Sequence, residues 1–323
     1  MKPIAANVIT LFADLQQSVR NEPTRAVSVH TKTVSGQTYY YAKEKIGSQF
    51  KERSLGPASD PVVKKQAKEI MAAGERARAR RKTVTLIKNA GIAAPSFDIS
   101  KTITAISEAG LFSKGVVLIG TGAYQVYPCL VGAELESGSL TTQDVDIAVA
   151  TVAIKNDVPL LDVLKNADPT FRSVPGLKHR DLAKKFTTAK GFEVEVLTPV
   201  RRRDEKSPVP IKGLSAGASP LQYLAYLIAD AVPTIALIEG GMPVTVPQPA
   251  RYAVHKLIVA QVRKVDASKR KKDLKQAKEL IEAIELSDPT SLEDAFHDAR
   301  KKGRGWAAHI DASLRELDMT DRF

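Results

Sequence analysis

Apolar positions change their period several times along the chain. Between residues 4 and 20 they recur with helical spacing, with Ile4, Val8, Leu11, Phe12 and Leu15 on one face. From Val27 to Val34 the pattern alternates, and Ser35-Gly36 supplies a turn. Thr38-Tyr39-Tyr40-Tyr41 opens a second alternating run, Ile46-Gly47-Ser48 a second turn, and Gln49 to Leu55 a third run closed by Gly56-Pro57. A helix followed by a small antiparallel meander is predicted. Residues 61–92 then read as one long helix broken by Gly91 to Pro95. Ser100 stands where it would cap a shorter helix reaching about Leu111, with Ile103, Ile106 and Leu111 on its apolar side.

Further on the apolar runs shorten. Val116 to Ile119 is continuously apolar, as a buried strand is. Gly120-Thr121-Gly122 is a turn, Ala123 to Val131 a helix, and Asp144 to Val149 the next strand. Lys155 to Leu164 reads as helical. Phe171 to Lys190 is mixed, with turns at Pro175-Gly176 and Lys190-Gly191. Phe192 to Leu197 alternates as a strand that Pro199 ends. A charged loop, Arg201 to Pro208, precedes an apolar helix from Leu221 to Val232. Thr234 to Ile238 and Val244 to Val246 form a hairpin through Gly240-Gly241. Pro247 and Pro249 lead into a helix ending at Val262, and three more helices follow near 270–286, 290–301 and 305–317. The class is α+β. The organisation is a helix plus meander over 1–60, a helical connector over 61–112, a core over 113–250 and a helical region over 251–323. No internal repeat is visible.

Composition narrows the chemistry. The 323 residues are 43% hydrophobic, enough for a sizeable core, and carry a formal net charge of +12. With a pI near 9.6 this favours polyanionic partners. The single cysteine, Cys129, excludes a disulfide framework and cysteine-rich zinc sites, and it sits in an apolar stretch as a small hydrophobe would. No apolar run reaches the length of a membrane span, and Met-Lys-Pro-Ile-Ala-Ala lacks a signal-peptide core, so a cytoplasmic protein is expected. The meander mixes tyrosines with Lys43, Lys45, Lys51 and Arg53, and the long helix carries a Glu75-to-Lys82 run with Arg78, Arg80 and Arg81. The meander's pattern suits either a nucleic-acid surface or a small sheet packing its tyrosines on a helix, and the helix's run suits either a nucleic-acid backbone or a solvated connecting helix.

Two carboxylates, Asp144 and Asp146, lie one residue apart on a strand, so they point the same way roughly 7 Å apart. Cations relieve their repulsion, and Mg²⁺ is the usual partner of carboxylates with substrate phosphates. Two such ions can clamp both oxygens of a phosphoryl transfer. The later strand offers Glu193 and Glu195, again on one face. Gly120-Thr121-Gly122 lacks the third glycine of a dinucleotide fingerprint, since Gln125 stands there, and no Walker lysine follows. What remains is a turn able to present backbone N–H groups to phosphate. His30, His179, His255, His297 and His309 show no ligand spacing. Trp306, Ile310 and Leu314 have the spacing of a core face.

Gly-Thr, Thr-Gln-Asp-Val-Asp-Ile-Ala and a carboxylate before Val-Leu-Thr-Pro together resemble the nucleotidyltransferase superfamily of the polymerase-beta type. Within it the chain resembles the bacterial branch containing abortive-infection nucleotidyltransferase toxins. The resemblance covers roughly residues 110–285 and implies a nucleotidyltransferase core with a short mixed sheet flanked by helices. It implies that Gly120 and Thr121 grip phosphate, that Asp144 and Asp146 bind two Mg²⁺ ions, and that Glu195 rather than Glu193 is the third carboxylate. Ala253-Val-His-Lys-Leu resembles the family's lysine-bearing helix, placing Lys256 on the triphosphate. Lys271-Lys-Asp-Leu resembles a later motif, placing Asp273 near the site. The implied activity moves an NMP from an NTP to an acceptor hydroxyl, most readily RNA (tRNA included) in a toxin-like setting with an unidentified antitoxin. Arg201, Arg202 and Arg203, directly after the Glu195 strand, are candidates for phosphate or acceptor RNA. Two departures stand out: Gly122 to Gln143 is longer than the family's usual spacing, and the third carboxylate is Glu where Asp is commoner. An inactive nucleic-acid-binding module and a protein-adenylylating enzyme are the alternatives.

Overall fold

The fold is that of a computed structural model describing residues 2–21, 27–46, 49–136, 144–150, 157–176, 181–202, 205, 207–263 and 266–320. The first helix, α1 (Ala6–Asn21), turns Val8, Phe12, Leu15 and Val19 inward. Three strands follow, β1 (Val27–Val34), β2 (Gln37–Ile46) and β3 (Gln49–Pro57), paired antiparallel in that order. Helix α2 (Pro61–Asn89) opens as its sequence dictates, with Asp60 accepting from the Val62 amide at 2.8 Å and Pro61 in the first turn, where no N–H is missed. It crosses the meander so closely that a Cβ on Gly74 would stand 2.4 Å from the Val27 carbonyl oxygen. The helix stops short of residue 92, because Gly91 takes φ +94°. Helix α3 (Phe97–Glu108) starts before Ser100, which is therefore no cap: it lies inside the first turn and its hydroxyl donates to the Pro95 carbonyl at 2.9 Å.

Among the described residues the core sheet has seven strands: β4 (Val116–Ile119), β5 (Asp144–Val149), β6 (Arg172–Val174), β7 (Lys185–Thr187), β8 (Glu193–Pro199), β9 (Val209–Ile211) and β10 (Ala216–Leu221). Their order is β4-β5-β8-β10-β9, with β7 also on β8 and β6 on β7. The pairing is mixed: β5–β8 and β8–β10 are parallel, β4–β5 and β10–β9 antiparallel. The run predicted as one helix from Ala123 to Val131 is two short ones, α4 (Gly120–Tyr124) and α5 (Pro128–Val131), because Pro128 has no amide to continue the ladder. Helix α6 (Leu160–Ala167) follows Pro159, whereas a start at Lys155 falls outside the described residues. The expected helix from Leu221 to Val232 is a correction. Leu221 ends β10, only α7 (Leu224–Ile228) is helical, and Val232 starts the hairpin β11 (Val232–Ala236) and β12 (Met242–Val246). Tyr223 at φ +66° and Asp230 at φ +57° bracket that short helix. Buried strands and buried helices share one apolar signature, and here pairing with β8 and β12 decided.

Four helices close the chain: α8 (Pro249–Val262), α9 (Ala267–Ser287), α10 (Pro289–Lys301) and α11 (Arg304–Glu316). Helix α8 is buried on nearly every side, from Ala250 to Ala260, and packs against the other three. Ile310 and Leu314 are core as their spacing predicts, with Trp306 packed against it. One hydrophobic cluster runs from α3 through the sheet into these helices; a second joins α1, the end of α2, Ile235 and Leu237. Cys129 is buried, and burial pushes its thiol up to about 12. Among the described residues no helix is long and apolar enough to cross a membrane.

Candidate active site

Strand register assembles the site. Antiparallel pairing of β4 with β5 sets Ile119 opposite Asp146, so the chain leaving β4 passes beside the aspartates. Gly120 makes that turn at φ +62°, which favours glycine, and a Cβ there would lie 2.6 Å from Asp146 Oδ2 and displace that carboxylate. From α8 the Tyr252 hydroxyl donates to the Gly120 carbonyl at 2.9 Å and fixes the turn from below. Parallel pairing of β5 with β8 sets Asp144 opposite Glu193 and Asp146 opposite Glu195. Val145 and Ile147 point into the core, so both aspartates face the other way. Glu195 Oε1 accepts from the Ser219 hydroxyl of β10 at 3.0 Å. The Lys185 ammonium of β7 stands 3.1 Å from Glu193 and 3.6 Å from Glu195.

Carboxylates crowded this way resist ionising together. Burial, then the charges of Asp144 and Glu195, push Asp146 up to about 6, with Lys256 and Lys185 opposing. Burial also draws Lys185 down, but the hydrogen bond to Glu193 and the charges of both glutamates outweigh it and raise it overall. Lys272 is lowered by burial first and then by Lys256, with Asp144 and Asp273 pulling the other way. The donor chemistry suits Mg²⁺: hard carboxylate oxygens on one strand face, with an aspartate whose ionisation a cation would favour. Among the described residues no three carboxylate, imidazole or thiol groups converge to enclose an ion. Asp144 and Asp146 are the residues that would hold such an ion, with phosphate oxygens and water as its further ligands. Glu195, expected as the third carboxylate, has Oε1 on the Ser219 hydroxyl and Oε2 3.6 Å from the Lys185 ammonium.

Helices α8 and α9 bring up the other expected residues. Lys256, one turn beyond Tyr252, is buried and ion-paired to Asp273 Oδ1 at 2.5 Å, and Arg263 Nε lies 3.1 Å from the other oxygen without a hydrogen bond to it. The resemblance placed Lys256 on the triphosphate; in the structure its ammonium is bound to Asp273 while its charge acts on Asp146. Thr121 lies half-buried in the first turn of α4. Arg201 and Arg202 are exposed beyond β8, with the Arg201 amide donating to Glu205, and Arg203 lies outside the described residues. Arg78 and Arg81 are exposed on α2, and Arg81 pairs with Glu239 at 2.9 Å. Arg80 is corrected: it is only 4% exposed, turned into the interior by helical rotation, and cannot share a phosphate-binding face with them.

Four site residues escape sequence reading. Lys185 and Ser219 sit on short strands without a pattern of their own. Tyr252 looks like any core aromatic in an apolar helix. Lys272 carries a signal in the sequence, since it precedes Asp273 in Lys-Lys-Asp-Leu.

An α+β domain with a short mixed sheet, carboxylates on adjacent strands and a helical flank is consistent with a nucleotidyltransferase-like fold. The nucleotidyltransferase family model matches residues 98–301, more than half of the chain, and the chain belongs to that family. It is also similar to a solved structure, an antigenic nucleotidyltransferase-like protein from Paracoccidioides brasiliensis, at 18% identity over 68% of this chain and 95% of that one, with a TM-score of 0.33. No curated protein matches it.

Proposed function

We propose that this protein transfers an NMP from an NTP to an acceptor hydroxyl, with RNA the favoured acceptor. The observation that carries the reading is the register of β4, β5 and β8, which sets the Gly120 turn against Asp146 and Glu195 opposite it. Asp144 and Asp146 would hold Mg²⁺, whose bound charge supplies neutralisation of the triphosphate. The turn at Gly120 and Thr121 offers backbone N–H groups to phosphate. Lys256 and Lys272 bring positive charge to the same side, and Asp273 keeps Lys256 in place. The acceptor oxygen bonds to the α-phosphorus, the bond to the β-phosphate oxygen breaks, and pyrophosphate leaves. Glu195 takes the acceptor proton, held for this by Ser219 and Lys185.

The basic charge of the chain supports RNA over a protein hydroxyl as acceptor. A bacterial, toxin-like setting with an antitoxin partner belongs to the same proposal, on sequence resemblance alone. The test incubates the protein with each α-³²P-NTP, total RNA and cell extract, with and without Mg²⁺. Label should enter RNA only with Mg²⁺, and Asp146→Ala should reduce it to background with an unchanged circular dichroism spectrum. In the toxin-like setting expression should arrest growth, and the same variant should relieve it. Undiminished transfer by Asp146→Ala would sink the assignment.

A further inference from the structure

Residues 27–57 precede the segment that matches the family, yet they form a surface with its own chemistry. The meander has one covered and one open face. Ala42 is 2% exposed, and Gly56, paired with Tyr40, is so close to α2 that a Cβ would meet Val63 at 2.8 Å. The face shared by Tyr40 and Ala42 is therefore the one that α2 covers. Alternation puts His30, Lys32, Tyr41, Lys43, Phe50 and Glu52 on the other face.

Aromatic and cationic groups interleave there. His30 stacks on Tyr41 with centroids 6.0 Å apart, and Lys32 stands 4.9 Å over the same ring. Lys43 stands 4.5 Å over Phe50, which is 62% exposed, an unusual place for a phenyl ring on an otherwise polar sheet. Glu52 accepts from Lys32 and lies 2.8 Å from His30 Nε2, so it positions both side chains. The exposed ring of Phe50, with the half-buried ring of Tyr41 on the same face, offers π-surface to bases of any identity, and ammonium groups beside them meet the phosphates between. Duplex bases stay stacked on one another and cannot use such rings.

We infer that the open face of the meander binds single-stranded nucleic acid, through stacking on Phe50 and Tyr41 and phosphate contact by Lys43 and Lys32. The net charge of +12 complements this partner and disfavours a basic protein in its place. As a docking surface for the acceptor the face rests on the transfer reading; as a binding surface it stands alone.

The test is fluorescence anisotropy on the whole protein without NTP, using short fluorescein-labelled RNA and DNA single strands of one sequence and the RNA duplex. The RNA and DNA arms separate the two sources of the same chemistry. Single strands should bind better than duplex. Phe50→Ala and Tyr41→Ala should each weaken binding by about tenfold, and Phe50→Leu, which keeps apolar bulk, should weaken it nearly as much. Lys43→Ala should lower the slope of log K on log salt by roughly 0.7. Phe50→Ala, Phe50→Leu and Lys43→Ala should melt with the parent, because those side chains are exposed, and binding by Tyr41→Ala is measured well below its own melting temperature, because that half-buried ring packs on His30. The inference is overturned by no single-strand binding, by a preference for duplex, by variants that bind like the parent, or by self-association that Phe50→Ala abolishes. Because no NTP is present, binding is read independently of transfer, and either can fail without the other.

Discussion

Asp146 is the residue on which the molecule's electrostatics turn. Its folded pKa of about 6 lies above the unfolded 3.8, so it favours the protonated native state. Its contribution to stability is fully present below pH 3.8 and is lost as pH rises through about 6, at a cost of up to ~3 kcal/mol. Asp146→Asn should therefore melt several degrees above the parent near neutral pH, and differ little below pH 4. Adding MgCl₂ should narrow the neutral-pH gap by stabilising the parent alone. Thermal melts across pH, with and without Mg²⁺, check this; an equal gap at both ends would contradict it. A side chain kept at a cost in stability is what a charge-handling site requires.

Between elements, the contact of α8 with α9 matters most. Tyr252 fixes the Gly120 turn, and Lys256 one turn later is buried with Asp273, so α8 reaches the site twice. Asp273→Asn would leave the Lys256 ammonium buried beside a neutral amide. A loss of about 3 kcal/mol in urea unfolding is expected. Arg263→Gln should cost far less, since that guanidinium is 38% exposed and solvent already screens it. Equal effects of the two substitutions would argue against a buried pair. Periodicity and caps made the long elements legible: α2, α8 and the last three helices stand within a few residues of their predicted spans. The hairpin expected from Thr234 to Val246 is present as β11 and β12, whereas the helix expected from Leu221 to Val232 is not, because a five-residue helix carries too few positions for a period to declare itself.

For the whole molecule, the family match begins at residue 98, but packing does not divide there. Val8, Phe12, Leu15 and Val19 of α1, with Val84 and Ile87 of α2, share a core with Ile235 and Leu237. Gly241 lies against the same helix: a Cβ there would stand 3.1 Å from Val19. A fragment of residues 98–323 would expose that apolar surface, and should unfold without a cooperative transition or aggregate, whereas the full chain melts sharply. Calorimetry of both checks this, and a fragment melting as sharply as the parent would show that the second core is dispensable.

The sequence by itself determined the α+β class, the aspartate strand, the glycine turn and the carboxylate-bearing strand, because each is a local pattern of burial and side-chain alternation. It could not say which strands are neighbours. Pairing between residues 119 and 146, and between 146 and 195, is a long-range choice made by packing, and that choice sets the glutamate across from the aspartate. Tertiary structure alone also placed Lys185 between two glutamates, drew Glu195 toward Ser219, buried Lys256 against Asp273 and turned Arg80 inward. A lone lysine or serine has no periodicity, and its role is defined only by what the fold brings within a few ångströms of it.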